Sequence, residues 1–157
     1  MRSARIATLA LAGAVALWSQ ERRYNGNGHV YFSAGVCQHN YTHIGGGGGG
    51  EAFVWRGLAV GGDIGYHRFI NDTNFGLASF TVGYHFVDRK SPGKFEPFVN
   101  ITPAGFYFGA GTGGAGGLGG GLNYWFKQRI GLRTEARVHV LANEEALVIV
   151  RIGLSFR

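Results

Sequence analysis

Apolar residues recur at every second position along much of this chain. Over Ala146 to Arg157 the even positions are Val148, Val150, Ile152, Leu154 and Phe156, and the odd ones are Leu147, Ile149, Arg151, Gly153 and Ser155. Successive side chains of a strand point to opposite faces, so the spacing predicts a strand with one wholly apolar face. A run of about ten such residues, ending in an aromatic, suits a tilted strand crossing the hydrocarbon layer of a membrane.

The same period appears upstream. Val30, Phe32, Ala34 and Val36 predict a first strand over 28–36, followed by a polar loop over 37–44. The glycine run Gly45–Gly50 leads straight into Glu51-Ala52-Phe53-Val54-Trp55, so part of it is expected to be strand two. Arg56-Gly57 reads as a tight turn before Leu58, Val60, Ile64 and Tyr66, which alternate with Ala59, Gly61, Asp63, Gly65 and His67. Strand four sets Ala78, Phe80, Val82, Tyr84 and Phe86 against Ser79, Thr81, Gly83 and His85. A charged turn over Asp88–Lys94 precedes strand five from Phe95, where Pro97 and Pro103 each lack a ladder donor and predict bulges or a late start. Gly109–Gly117 reads as a loop before strand six, which carries Leu118, Leu122, Tyr124 and Phe126. Lys127-Gln128-Arg129 turns into strand seven, with Leu132, Thr134, Ala136, Val138 and Val140 opposite Arg133, Glu135, Arg137 and His139. Eight strands, joined alternately by short turns and longer loops, predict an all-β, eight-stranded antiparallel up-and-down transmembrane β-barrel.

Alternation alone does not say which face is inside. The polar face is mostly Gly, Ser, Asn and Thr with few charges, which suits a narrow interior better than a solvated exterior. Trp55, Tyr84, Phe86, Phe95, Tyr124, Trp125, Phe126 and Phe156 cluster near the short-turn ends, as an interfacial girdle would. The apolar face is therefore expected to meet lipid. A secreted soluble barrel with an apolar ligand inside is the rival.

Composition supports this picture: of 157 residues, 45% are hydrophobic and only 15% charged, leaving few charges to cover a solvated surface. Arg2 and Arg5 followed by the apolar run Ile6–Trp18 read as a signal peptide over residues 1–20, leaving 21–157 as the barrel domain. The single Cys37 excludes an intramolecular disulfide.

With the terminal Ile152-Gly153-Leu154-Ser155-Phe156 and the pattern from Gly28 onward, the chain resembles the small outer-membrane β-barrel family, the class of the outer membrane protein A-like transmembrane domain. That resemblance implies a place in the outer membrane of a Gram-negative-type bacterium, contact with outer-membrane lipids, and recognition of the strand ending at Phe156 by the barrel-assembly machinery. Here Arg157 follows that Phe. Family members serve as anchors, adhesins, occasional enzymes or narrow pores, so the resemblance leaves the task open.

The chemistry expected inside is ionic. Glu51, Asp63, Glu96, Arg133, Glu135, Arg137 and Arg151 share the inward parity and are expected to pair as a polar lumen cluster that plugs the barrel. Paired carboxylates could serve as catalytic acid and base, but no nucleophile stands with them. Ser79 and His85 lie six residues apart on one strand, about 20 Å at roughly 3.3 Å per residue, too far for nucleophile and base. His139-Val140-Leu141 lacks the hydroxyl that a resemblance to an outer-membrane lipid A deacylase would require. Cys37, His39 and His43 could hold a soft metal, yet their spacing matches no established site. The glycine runs lack a Walker lysine and a following helix, and the basic charge comes with no nucleic-acid motif. The expectation is a monomeric, non-enzymatic barrel without cofactor or metal, carrying a structural or surface-interaction role through residues 37–44 and 106–117. A lipid-modifying enzyme and a narrow pore are the alternatives. Charge is asymmetric: Arg22, Arg23, Arg56, Arg89, Lys90, Lys94, Lys127, Arg129 and Arg157 map to the short-turn end against Glu21 and Asp88, a balance of +7, whereas Arg68 against Asp72, Glu144 and Glu145 leaves −2 at the other.

Overall fold

The computed structural model describes residues 25–38, 41–70, 73–86, 93–109, 111–142 and 145–157; the leader expected over residues 1–20 lies outside them. Eight strands follow in order: β1 (Gly26–Cys37), β2 (Tyr41–Trp55), β3 (Leu58–Phe69), β4 (Asn74–His85), β5 (Phe95–Gly109), β6 (Gly113–Trp125), β7 (Ile130–Leu141) and β8 (Ala146–Phe156). Each pairs antiparallel with its sequence neighbours, and β1 pairs with β8 from Gly28↔Phe156 to Cys37↔Leu147, which closes the barrel and leaves no strand edge open.

Strands β2, β5 and β6 are longer than the pattern of apolar residues predicted. All six glycines of the 45–50 run lie in β2, paired to β1 from Gly45↔Ser33 to Gly50↔Gly28. A ladder needs only backbone, so a side-chain-free segment pairs as well as any when both neighbours hold it. Likewise β5 runs to Gly109 and β6 starts at Gly113, so most of residues 37–44 and 106–117, expected as contact loops, is strand. Of the two troublesome prolines, Pro103 falls within the bulge between Thr102 and Gly105, as its missing donor requires, whereas Pro97 sits in regular register opposite Leu122. The bulge also reverses the parity of β5: Thr102 is buried, yet beyond it Phe106 and Phe108 face out. At the β2–β3 turn Arg56 adopts a left-handed φ of 45°.

The apolar parity faces outward. Val30, Phe32, Ile64, Phe80, Val99, Ile101, Leu118, Val138, Val150 and Ile152 are exposed around the wall, while the opposite parity is buried. Eleven residues of β8, at about 3.3 Å each and tilted by about 45°, span roughly the 25 Å apolar band of transmembrane barrels. Trp55, Tyr84, Phe86, Phe95, Phe126 and Phe156 form an exposed aromatic ring at the short-turn end. Trp125 departs from the expected girdle: its parity is inward and it is 2% exposed. Tyr41, Tyr66, Phe106 and Phe108 are exposed toward the opposite end, a second aromatic belt that the sequence pattern did not single out.

Candidate functional site

The lumen is where buried chemistry concentrates, and glycine makes room for it. A Cβ on Gly47 would meet Ile64 O and the Tyr31 hydroxyl, one on Gly119 the Arg137 side chain, and one on Gly121 Thr134 O and the Phe98 ring. The inward glycines of β2 and β6 thus form bare slots that large side chains of neighbouring strands fill. Eight strands enclose only enough space for side chains, so slots of this kind are what let arginines fit.

All seven residues expected in the polar cluster enter one network. Glu51 accepts from Arg133 Nη1 at 3.0 Å, and Arg133 Nε reaches Glu135 Oε2 at 3.4 Å. Glu135 pairs with Arg137 Nε and accepts from Asn100 Nδ2 at 2.6 Å. Arg137 Nη1 meets Asp63 Oδ2 at 2.6 Å, and Arg151 Nη1 meets Asp63 Oδ1 at 3.1 Å. The order is acid, base, acid, base, acid, base, so each interior charge touches only opposite charge. That alternation offsets desolvation, which costs several kcal/mol per buried ion. Arg133 and Arg151 also lie over the Phe98 and Tyr31 rings at 4.0 and 4.3 Å, and the Tyr31 hydroxyl donates to Asp63 at 3.4 Å.

Glu96 joins through residues that charge matching had not assigned to it. Its carboxylate accepts from Trp125 Nε1 at 2.8 Å and from the Asn27 and Asn123 amides at 3.3 Å each, and Arg157 Nη1 approaches to 3.7 Å. His85 stands between Glu96 and Glu51, with Nδ1 2.7 Å from the first and Nε2 3.2 Å from the second. Inward parity was the available signal for Trp125 and His85, and for Arg157 too, which continues the odd positions of β8.

Toward the other end the filling turns apolar. Cys37, Phe75, Leu77, Ala115, Leu147 and Ile149 are buried together, with Phe69, Tyr107 and Leu141 packed against them. His43 and His67, both fully buried, border this layer with ring centroids 5.2 Å apart, and His67 stacks on Phe75 at 4.9 Å. The inward Leu147 and Ile149 were the legible sign of this plug.

Little here resembles catalytic machinery. Ser33 Oγ lies 3.3 Å from His67 Nδ1, a contact the spacing analysis did not reach, but both side chains are buried in the filled lumen. Cys37 Sγ donates to Glu145 Oε2 at 3.7 Å, and His39 lies outside the described residues. Among the described residues, no three His, Cys, Asp or Glu side chains are grouped to hold a metal ion.

No protein-family model and no curated protein matches the sequence. Solved structures do match the fold. Neisserial surface protein A aligns over 83% of this chain and 94% of its own with a TM-score of 0.64 at 9% identity. The outer membrane protein OprG from Pseudomonas aeruginosa aligns over 87% and 96%, TM-score 0.61, at 7% identity. Ail, the attachment invasion locus protein of Yersinia pestis, aligns over 85% and 99%, TM-score 0.59, at 12% identity. The chain therefore has the fold of the small eight-stranded outer-membrane barrels, in which unrelated sequences share one architecture.

Proposed function

We propose that this chain is an integral outer-membrane barrel whose lumen is closed by its own side chains, acting as a structural or surface-interaction element rather than as an enzyme or pore. The carrying observation is the continuous run of alternating charges from Glu51 to Arg151, capped on one side by the Leu77, Leu147 and Ile149 layer. An ion would have to break paired charges and then cross an apolar seal. On this reading the basic, short-turn end faces the periplasm and the anionic headgroups of the inner leaflet, the C-terminal strand is read by the barrel-assembly machinery, and the barrel is monomeric. Any surface partner meets the opposite rim, where Tyr41, Ile70 and Phe108 are exposed.

Planar-bilayer recording of the purified barrel tests the plug. The expected result is no steady conductance in the wild type; reproducible steps that change in Glu135→Gln or Arg137→Gln would establish a narrow pore instead. The enzymatic alternative is tested by assaying hydrolysis of lipopolysaccharide and phospholipid. Activity abolished by His139→Ala or Ser33→Ala would overturn the non-enzymatic reading.

A further inference from the structure

At the short-turn mouth, Gly93, Lys94, Trp125, Phe126, Lys127, Gln128 and Arg157 line an open hollow of about 350 Å³. Three of these side chains are cationic, and the acid side chain that adjoins them, Glu96, is buried beneath Trp125 and offsets part of the Arg157 charge. Arg157 is held in place: its guanidinium lies over the Trp125 ring at 4.2 Å, with Nε donating to Gln128 O at 2.9 Å and Nη1 3.7 Å from buried Glu96. Trp125 is itself fixed by its bond to Glu96. Lys94 and Lys127 approach from two different connections, one before β5 and one after β6, brought together because Trp125 N donates to Lys94 O at 2.7 Å. On the lipid side the hollow is bounded by Phe126, beside the packed Phe95 and Tyr124 rings, whose centroids are 5.0 Å apart.

We propose that this hollow is a binding site for the phosphate of an anionic phospholipid headgroup. Converging cations around a fixed guanidinium recognise a phosphate oxyanion, and the planar fork suits it better than a point charge. A lipid is the fitting carrier because the wall that meets the hollow is aromatic and lipid-facing, so acyl chains lie along Phe126 and Phe95 while the headgroup turns into the cations. This rests on the membrane orientation proposed above and narrows it from a diffuse basic collar to one site. Arg56, on the β2–β3 turn and 5.1 Å from the Trp55 ring, belongs to the collar but not to the hollow.

Native mass spectrometry of the full chain, in detergent containing phosphatidylglycerol or phosphatidylcholine, reads the site directly. The expected result is retention of one phosphatidylglycerol over phosphatidylcholine, weakened roughly tenfold or more in Lys94→Gln/Lys127→Gln, kept in Lys94→Arg/Lys127→Arg, and unchanged in Arg56→Gln. Folding of each variant is checked by heat-dependent electrophoretic mobility, and the single Lys94→Gln and Lys127→Gln changes replace the double one if it does not fold. Equal retention of the two lipids, undiminished retention in the glutamine variants, or an equal loss in Arg56→Gln would overturn the site. So would inorganic phosphate binding as tightly in the absence of lipid, which would assign the hollow to a soluble anion. Protease cleavage at Lys127–Arg129 in intact cells, with retention in detergent unchanged, would sink the orientation alone; a barrel with that turn protected and no lipid preference would sink this site alone.

Discussion

Arg137 and Asp63 meet at 2.6 Å across the lumen, from β7 and β3, strands that lie four places apart in the closed order and so face each other across the barrel. A register slip of one residue in either strand would turn one of them into lipid. The pair therefore reports on closure as well as charge.

Asp63 holds two arginines, Arg137 and Arg151, of which only Arg137 also meets Glu135. Asp63→Asn is expected to destabilise the barrel by about 3–5 kcal/mol, since the buried Arg151 loses the acid it meets at 3.1 Å while Arg137 keeps Glu135. Urea unfolding in lipid vesicles measures this. Asp63→Asn combined with Arg151→Met should cost clearly less than the two single changes added together, because the second change removes the charge that the first has orphaned.

The slots formed by inward glycines give a prediction with an internal control. Gly121→Ala places a methyl against Thr134 O and the Phe98 ring and should cost about 1–3 kcal/mol. Gly114→Ala, where nothing lies within 4 Å, should leave unfolding within about 0.5 kcal/mol of wild type. Equal effects at the two sites would mean that glycine serves strand flexibility rather than space.

The apolar layer should carry stability independently of the ionic network. Leu147→Ala removes a side chain that is 1% exposed and is expected to cost about 2–5 kcal/mol by cavity formation. Bilayer recordings on the same variant should stay silent, because the charges below remain paired.

Orientation of the wall can be tested at Val150, which is 57% exposed and near the middle of β8. Val150→Lys is expected to cost about 2–4 kcal/mol when folding is measured in vesicles, as a charge on the lipid face at mid-depth does. The same face in contact with water rather than lipid would tolerate the change at almost no cost.

Alternation repeated from Val30 to Phe156 was enough to predict eight strands and the parity of Glu51, Asp63, Glu96, Arg133, Glu135, Arg137 and Arg151, though not the full length of β2, β5 and β6. A period of two is a local property, and a closed barrel leaves it nowhere else to put its apolar face. The partners of those charges were a different matter. Glu96 meets His85, Trp125 and Arg157 because β4, β6 and the end of β8 converge at one mouth, a neighbourhood set by strand stagger rather than by spacing along the chain. The glycine runs were legible only in part for a related reason. Gly45–Gly50 has no side chains to signal a strand, and its place in β2 is dictated by what Tyr31, Asp63 and His67 require of the space beside them. Sequence alone thus determined side-chain direction wherever the strand is regular, because direction follows from parity; only the tertiary structure decided where a bulge reverses it, as after Thr102, and which side chains touch, because contact across a barrel depends on closure and stagger.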